Sequence, residues 1–304
     1  MMKITIAVTW KYVIAGSLFF SLLSENINAQ SVQGVNGKAA VSETLAPASN
    51  NSYCSSRPGI HRRPADVYIP FEKESDLEQF SIYRSDHISF ADHPVSDRKV
   101  KRVHVPENQH YGMAMQYNFS GADEVTLRWK QYLPEEWMPA RGTHIKFPGI
   151  GNRDGHGWGG RRTDGTSGWT VRTALRNQSD DNNAVTVEFY VYHMEMGRWG
   201  SIYHWDRDEN GAGVYRGEWT EMEIYVRVNT PGEADGIICG WINGEPRFEK
   251  TDLKFRAEGY DEYDIREIIW DIYHGGAESS PIDQDIYFRN LEIWYGSLNS
   301  ETGY

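Results

Sequence analysis

Hydrophobic and polar residues alternate in many short runs from about Val67 onward. Runs such as WTVRTAL, VTVEFYVYH and MEIYVRVN show this two-residue period, and clusters such as RDGHGWGG and NTPGEADG, rich in turn-forming residues, separate them. Because successive side chains of a strand point to opposite faces, the pattern is typical of half-buried β-strands joined by turns. Helical spacing of apolar residues is confined to the neighbourhood of residues 73–79. The sequence therefore predicts an all-β fold, a β-jelly-roll sandwich of antiparallel sheets with a substrate groove on one sheet.

The first 65 residues differ in composition from the rest. Residues 1–29 combine basic residues near the start, an apolar stretch over residues 13–23 and a cleavable site before Gln30, as in a signal peptide. The apolar stretch is shorter than the ~20 residues that a membrane-spanning helix needs. Residues 30–65 are rich in Ser, Asn, Ala and Gly, which predicts a flexible leader. We therefore expect a secreted or periplasmic protein without a membrane partner, a single domain over residues 66–298, and a monomer.

The chain contains two cysteines, Cys54 and Cys239. Two is a small number for a disulfide-stapled scaffold, although an exported protein meets conditions that can oxidise them. Cys239 lies in a predicted strand, DGIICGWING, where a small buried apolar side chain is the simpler interpretation. The sequence leaves open whether the two are bonded.

The formal net charge of −12 argues against a nucleic-acid partner, because proteins of that class usually carry an excess of basic residues. Basic residues are nevertheless concentrated between residues 141 and 176, where seven of them stand against two acidic ones. Such a window can steer an anionic ligand towards one place on an acidic protein. The seven are Arg141, Lys146, Arg153, Arg161, Arg162, Arg172 and Arg176, and the two acidic residues are Asp154 and Asp164.

Three predicted strands within and just after this window each carry two functional side chains on alternate residues. Each pair projects from one side of its strand, and a shared sheet would bring the pairs together. A lysine, an arginine and two tyrosines on one surface suit a reaction that neutralises a carboxylate, removes a proton from the neighbouring carbon and protonates a leaving oxygen. The β-elimination of a uronic-acid polysaccharide needs these three steps. The pairs are His144 with Lys146, Thr170 with Arg172, and Tyr190 with Tyr192.

Each of these groups has a role in such a reaction. A guanidinium that holds the carboxylate bidentately lets the developing enolate spread its charge, which suits Arg172. Lys146 or a tyrosine can remove the proton if its pKa falls from the usual ~10, and the remaining phenol can protonate the departing oxygen. The chemistry needs no cofactor and no metal. Further residues expected to bind the anionic polysaccharide are His144, Thr170, Glu188, the loop residues His156, Arg161 and Arg162, and Trp158 or Trp169 for stacking on sugar rings.

The segments HIKFPGIG, GWTVRTALR, VEFYVYH and VRVNTPGEADGIICGWING resemble those of polysaccharide lyase family 14 and related alginate lyases, jelly-roll enzymes that cleave alginate or polyglucuronate. The resemblance implies that Lys146 is the catalytic lysine of a K-x-P-G segment. It implies that Arg172 lines the substrate site with Thr170, which keeps the hydroxyl of the usual serine. It implies catalytic roles for Tyr190 and Tyr192. The later segment, residues 229–244, is implied to be scaffold.

Two other functions remain open on the sequence. The segment EYDIRE places Glu262, Asp264 and Glu267 in a spacing like that of jelly-roll glycoside hydrolases, in which Glu262 and Glu267 would supply acid and nucleophile. This segment alternates poorly for three carboxylates that face a groove. A non-catalytic carbohydrate-binding module would use the same groove, but it would not need Lys146 beside two tyrosines.

A metal site is not predicted. Residues 206–211, DRDENG, match the start of a calcium-binding loop, but the acidic ligand expected six positions after the glycine is replaced by Gly217. We therefore expect a metal-independent polysaccharide lyase. Its expected substrate is alginate, with mannuronate-rich polymer favoured, or glucuronan.

Overall fold

A computed structural model describes residues 53–56, 63–93, 95, 98–140, 143–176, 184–205 and 213–296 of the chain. The predicted signal peptide, most of the predicted leader, Arg141 and the calcium-like loop at residues 206–211 lie outside these ranges. In the described part, nearly all regular structure is strand, arranged in two antiparallel sheets as a jelly-roll sandwich. The predicted fold class is confirmed.

The described residues contain one short helix, α1 (Tyr53–Ser56), and one 3₁₀ turn (Glu74–Leu77), which falls where the sequence shows helical spacing. The strands are β1 (Val67–Ile69), β2 (Ser81–Arg84), β3 (Ile88–Asp92), β4 (Lys99–Val105), β5 (Tyr111–Ala122), β6 (Glu124–Tyr132), β7 (His144–Asn152), β8 (Trp169–Arg176), β9 (Ala184–Tyr192), β10 (Ser201–His204), β11 (Val214–Tyr215), β12 (Trp219–Arg227), β13 (Gly236–Ile242), β14 (Glu245–Leu253), β15 (Ile265–His274) and β16 (Gln284–Tyr295). No helix in the described ranges has the length and apolar character that crossing a bilayer requires.

The two sheets bury one large core between them. The first sheet has the strand order β14-β13-β12-β6-β16-β4-β3, with β1 beside β16. The second has the order β10-β9-β8-β7-β15-β5-β2, with β11 beside β9. Alternation along β9 shows how the sequence selects these faces, since Val187, Phe189 and Val191 belong to the core while Tyr190 and Tyr192 form a separate small cluster. The strands that carry the three predicted side-chain pairs, β7, β8 and β9, are therefore neighbours in one sheet.

The short helix α1 packs on one patch of the outer face of the first sheet. Cys54 and Cys239 form a disulfide that links positions 185 residues apart, which answers the question that the sequence left open. The backbone N–H groups of Tyr53 and Cys54 donate to the carboxylate of Glu249 at 3.2 and 2.6 Å. Residues 53–56 of the predicted flexible leader are thus anchored to the domain, because a covalent link and an apolar patch around Cys239 hold them.

One charged side chain lies inside the core. Lys101 is completely buried, and its Nζ lies 3.6 Å from the ring centroid of Phe71 and 4.6 Å from that of Trp270. Contacts between a cation and aromatic rings contribute about 2 kcal/mol or more when desolvated, but removing an ammonium from water costs several kcal/mol. Burial therefore lowers the pKa of Lys101 well below its ordinary value.

We expect the substitution Lys101→Met to raise the melting temperature. Methionine has a similar length and no charge, so it fills the same space without the desolvation cost. Because the pKa of Lys101 is lower in the folded state, that state binds fewer protons than the unfolded chain, and the lysine becomes more destabilising as the pH falls. For a domain of this size, each kcal/mol of added stability raises the melting temperature by roughly 2 to 4 °C. The rise in melting temperature should therefore be larger near about pH 6 than near about pH 9.

Thermal unfolding followed by circular dichroism measures the difference. Lys130→Met is the matched control, since Lys130 is partly exposed and its Nζ lies 3.5 Å from Glu221 in the same sheet. An unchanged melting temperature for Lys101→Met would contradict the assigned cost of burial.

Candidate active site

A cavity of about 980 Å³ lies over the second sheet, on the face turned away from the core. Its floor comes from β7, β8, β9, β15 and β5, and residues of β2, β10 and the loops after β7, β9 and β15 line its sides. Six residues selected from the sequence line it together: His144, Lys146, Trp158, Arg172, Tyr190 and Tyr192. Groups far apart in the chain are thus brought to one surface.

Strand register explains most of this convergence. In the antiparallel pair of β8 and β9, Arg172 lies directly opposite Tyr190, and Thr170 lies opposite Tyr192. Directly paired residues have Cβ atoms about 4.5 to 5.5 Å apart and point to the same face. The guanidinium and the first phenol are therefore neighbours by backbone pairing alone.

The K-x-P-G segment introduces an irregularity that lets Arg172 reach across the sheet. The register between β7 and β8 shifts between Lys146 and Gly149, around a proline that cannot donate a ladder hydrogen bond. A Cβ placed on Gly149 would lie 2.7 Å from Arg172 Cα and 2.9 Å from Arg172 Cγ. Glycine is needed here because the stem of Arg172 passes directly over the backbone of β7 towards β15.

Lys146 lies in the middle of the floor between two aromatic rings. Its Nζ is 4.3 Å from the ring centroid of Tyr190 and 5.5 Å from that of Tyr273. Burial, reinforced by the positive charge of Arg172 and opposed by Asp271, lowers the pKa of Lys146 to about 7. A large fraction of this amine is therefore neutral near neutral pH.

Arg172 and Arg153 share one carboxylate. Arg172 Nη1 lies 3.6 Å from Asp271 Oδ2, and Arg172 Nη2 donates to the backbone carbonyl of Asp271 at 3.2 Å. Arg153 Nη1 lies 3.4 Å from the same Oδ2, while its Nε donates to Glu267 at 2.9 Å. Part of the basic window is thus neutralised by acidic residues of β15, and the remaining positive charge is held in fixed positions.

The two tyrosines of β9 differ in their surroundings. Their ring centroids are 5.5 Å apart. Burial, together with the neighbouring Tyr192, raises the pKa of Tyr190, so its phenol stays protonated at neutral pH. The oxygen of Tyr192 accepts a hydrogen bond of 2.9 Å from the backbone N–H of Gly160, which leaves the phenolic proton available for donation.

Glu188 does not line the cavity, although the sequence places it on the same face as the tyrosines. It is 1% exposed, and one carboxylate oxygen lies 2.7 Å from His144 Nδ1. Its other oxygen lies 3.3 Å from His204 Nδ1 and 4.0 Å from Arg176 Nε. Glu188 is therefore a buried carboxylate that lies beside His144, whose ring is 4.9 Å from that of Tyr190.

Thr170 and Trp169 are also placed away from the cavity. The hydroxyl of Thr170 is buried and donates to the carbonyl of Gly157 at 2.7 Å, so it supports the glycine-rich loop. Trp169 belongs to the core, and its indole N–H donates to the carbonyl of Tyr263 at 2.7 Å. Of the two tryptophans considered for sugar stacking, Trp158 alone lines the cavity.

The other loop residues lie beside the cavity without lining it. Arg161 stacks on Trp158 with its Cζ 4.0 Å from the ring centroid. Arg162 donates to the carbonyl of Met196 at 3.1 Å and so connects two loops. His156 is exposed. Arg161 and Arg162 thus contact residues of the loops that border the cavity, whereas the floor is built from the strands.

Sequence reasoning missed several lining residues on strands β15 and β5. Asp271 and Tyr273 alternate in IIWDIYH, and the same two-residue period that revealed the tyrosines of β9 would have found them. Tyr111 reaches the cavity because the register between β5 and β15 shifts next to Tyr273, which local periodicity does not reveal. Trp199, on the loop after β9, had no signal beyond its residue type.

The three carboxylates considered for a glycoside hydrolase lie away from the cavity, and two of them are paired with arginines. Glu267 is 2% exposed and paired with Arg153, and Asp264 is 2.6 Å from Arg266. Glu262 is exposed and precedes β15. None of the three lines the main cavity. Within the described part of the chain, no three His, Cys, Asp or Glu side chains are grouped to hold a metal ion.

The family model described as polysaccharide lyase 14 matches residues 99–291, which run from β4 into β16. A variant of the alginate lyase Aly36B, solved with an alginate trisaccharide, aligns with a TM-score of 0.64 at 19% identity, covering 77% of this chain and 99% of its own. An alginate lyase from Aplysia kurodai gives a TM-score of 0.62 at 17% identity, covering 77% of this chain and 100% of its own.

An endo-β-1,4-glucuronan lyase from the fungus Trichoderma reesei has a TM-score of 0.52 at 11% identity, covering 76% of this chain and 96% of its own. No curated protein matches the chain in sequence. At these identities, the structural comparisons show a common fold.

We expect the pKa of Lys146 to move in opposite directions when its two charged neighbours are neutralised. Arg172→Gln removes a positive charge that disfavours the ammonium, so the pKa should rise from about 7. Asp271→Asn removes a negative charge that favours it, so the pKa should fall. The rate at which acetic anhydride modifies Lys146, followed by peptide mass spectrometry over a pH series, measures both shifts.

The exposed Lys99, modified in the same reaction, serves as the internal control. A midpoint near the ordinary lysine value of about 10.4 in the unsubstituted protein would refute the assigned electrostatics.

Proposed function

The chain belongs to polysaccharide lyase family 14, and from that premise we propose that it cleaves a uronic-acid polymer, alginate or glucuronan, by β-elimination. As a polysaccharide lyase it is neither the glycoside hydrolase nor the binding module considered above. The observation that carries the proposal is the convergence of Lys146, Arg172, Tyr190 and Tyr192 on one cavity. Solved alginate and glucuronan lyases of the same fold support this substrate class.

Arg172 is the group that neutralises the uronate carboxylate. Its guanidinium is fixed from behind by the side chain and carbonyl of Asp271, so its orientation is set before substrate enters. A fixed cation in a partly water-excluded site stabilises the negative charge that develops on the carboxylate as the C5 proton leaves. Arg153, held by Glu267 and also lining the cavity, adds a second positive charge nearby.

Lys146 and a tyrosine move the proton. The neutral amine of Lys146 takes the proton from C5, and the electrons of that bond form the C4=C5 double bond as the C4–O4 bond breaks. The departing O4 receives a proton from Tyr190 or Tyr192. Tyr190 stays protonated because burial raises its pKa, while the hydrogen bond from Gly160 leaves Tyr192 with a proton to give. No water is consumed in breaking the bond.

The stereochemistry of the polymer favours mannuronate-rich alginate or glucuronan. In mannuronate and glucuronate the C5 proton and O4 lie on the same side of the ring, so groups on one surface can take and return the proton. In guluronate they lie on opposite sides, and two groups on opposite faces are needed. Lys146, Tyr190 and Tyr192 all stand on the floor of one sheet face, which suits the first arrangement.

We expect Lys146→Ala to lower kcat by about 10²- to 10⁴-fold, since it removes a positioned proton-transfer group. Lys146→Arg separates the two roles of this residue, because arginine keeps the positive charge but does not deprotonate in proteins. If Lys146 is the base, Lys146→Arg should be as inactive as Lys146→Ala. Tyr192→Phe should also lose activity, since it removes one of the two available phenolic protons.

The measurement is the ultraviolet absorbance of the unsaturated ends formed from mannuronate-rich alginate, guluronate-rich alginate and glucuronan, together with the size of the products. Thermal melts control for correct folding of each variant. Near-normal turnover by Lys146→Ala would contradict its assigned role, and products with saturated ends would exclude elimination.

We propose further that the enzyme acts outside the cytoplasm as a monomer. The signal-like composition of residues 1–29 supports export, and the disulfide between Cys54 and Cys239 is of the kind that persists in oxidising compartments.

Expression of the full chain in a bacterium with a periplasm should yield a processed protein that begins at Gln30. Amino-terminal sequencing of the periplasmic fraction checks this start, and retention of the full-length chain in the cytoplasm would contradict export.

A further inference from the structure

Exposed apolar side chains are concentrated at the cavity. Eight large hydrophobic residues are exposed in the described part of the chain, and four of them, Tyr83, Trp158, Trp199 and Ile202, line this one cavity. Trp158 is 41% exposed and Trp199 is 58% exposed, although most other tryptophans of the described ranges are buried. Apolar surface that is gathered at one place and left open to water marks a binding surface.

The two tryptophans are held in place by contacts between their loops. Gly160 has a positive φ of 80°, and a Cβ on it would lie 2.7 Å from Trp199 Cζ3, so the indole of Trp199 rests on this glycine. The hydrogen bond from Arg162 to the carbonyl of Met196 ties the loop of Trp158 to the loop of Trp199. Because the N–H of Gly160 also donates to the phenol oxygen of Tyr192, the aromatic wall is joined directly to the bond-breaking groups.

An arginine side chain lies over the ring of each tryptophan. Arg161 Cζ lies 4.0 Å from the ring centroid of Trp158, and Arg198 Cζ lies 4.8 Å from that of Trp199. Neither arginine is within ion-pair distance of a carboxylate in the described ranges. A guanidinium that stacks on an indole leaves its N–H edges free for a carboxylate. An aromatic face beside such an edge matches the two sides of a uronate residue, an apolar ring face and a charged carboxylate.

The two tryptophans and Ile202 form an aromatic and apolar wall, and its place on the sheet shows which part of a bound polymer it would contact. Ile202 on β10 lies opposite Tyr190, so the wall stands on the β9 and β10 side of the proton-transfer groups. Tyr111, Tyr273 and Arg84 line the same cavity on the β15 and β5 side. A polymer that crosses the strands therefore passes over Lys146 and Arg172 and reaches the tryptophans beyond the bond that breaks.

We propose that Trp158 and Trp199, with Arg161 and Arg198, form an outer subsite that binds one uronate residue of the substrate chain beyond the cleaved bond. The inference rests on the proposed function, since it assigns to the same polymer a second point of contact. The subsite holds long chains more strongly than short ones, because a chain too short to reach it gains nothing from it.

The test uses binding without turnover. Mannuronate oligosaccharides of increasing length, with glucuronate oligosaccharides as a second series, are titrated by calorimetry into Lys146→Ala and into Lys146→Ala/Trp199→Ala. The Trp199→Ala change should weaken long oligosaccharides by roughly 2- to 10-fold, the range expected for loss of one stacking partner. The shortest oligosaccharides should bind equally to both proteins. Tyr68→Ala, which removes an aromatic ring that is 55% exposed on the first sheet, is the matched control and should change neither series.

A charge variant tests the chemistry of the ligand. Arg198→Gln in the Lys146→Ala protein should weaken long uronate oligosaccharides and reduce the salt dependence of their binding, because one ion pair is lost. Equal affinity of Lys146→Ala and Lys146→Ala/Trp199→Ala at every length would overturn the subsite and leave the proposed function standing. Failure of the Lys146→Ala protein to bind any uronate oligosaccharide would overturn the proposed function itself.

Discussion

Lys146 and Arg172 place two basic groups side by side on one sheet face, where both side chains are largely buried at the bottom of the cavity. Burial disfavours both charged forms, and each positive charge makes the other less favourable. The weaker of the two bases, the amine, therefore loses its proton near neutral pH. Asp271 limits this effect by lying 3.6 Å from the guanidinium. The protonation of the amine thus depends on where the guanidinium and the carboxylate lie, and these two groups hold each other in place.

The backbone makes this arrangement possible. Antiparallel pairing puts Arg172 opposite Tyr190, and the irregular ladder at Gly149 gives the arginine a path across β7 to Asp271. The carboxylate comes from β15, 99 residues later in the chain, because β15 pairs with β7 on its other side. A side chain at position 149 would displace the stem of Arg172 and so disturb the electrostatics of the floor without replacing any charged residue.

The same desolvation has different consequences at two lysines. Lys101 lies in the core, where its amine contacts aromatic rings and a thioether, and its lowered pKa reduces stability. Lys146 lies in an open cavity beside an arginine and phenols, and its lowered pKa yields a base at neutral pH. What a buried amine does for the protein depends on which groups can reach it from outside.

The sequence by itself determined which side chains share a strand face. The period of two is a local property of extended backbone, so it grouped His144 with Lys146, Thr170 with Arg172 and Tyr190 with Tyr192, and the order of the motifs pointed to the correct family. It also predicted the sandwich, because short alternating runs separated by turns leave few other ways to bury one face.

Tertiary structure decided which of these faces remain open and what lies across from them. Glu188 shares a face with the tyrosines, yet His144 and His204 lie over it. The hydroxyl of Thr170 donates its hydrogen bond to a loop carbonyl. Asp271, Tyr273 and Tyr111 enter the site through pairings between strands distant in sequence, and Cys54 meets Cys239 across 185 residues. Periodicity records the direction of a side chain along its own strand, whereas burial and partners depend on neighbours that the strand does not encode.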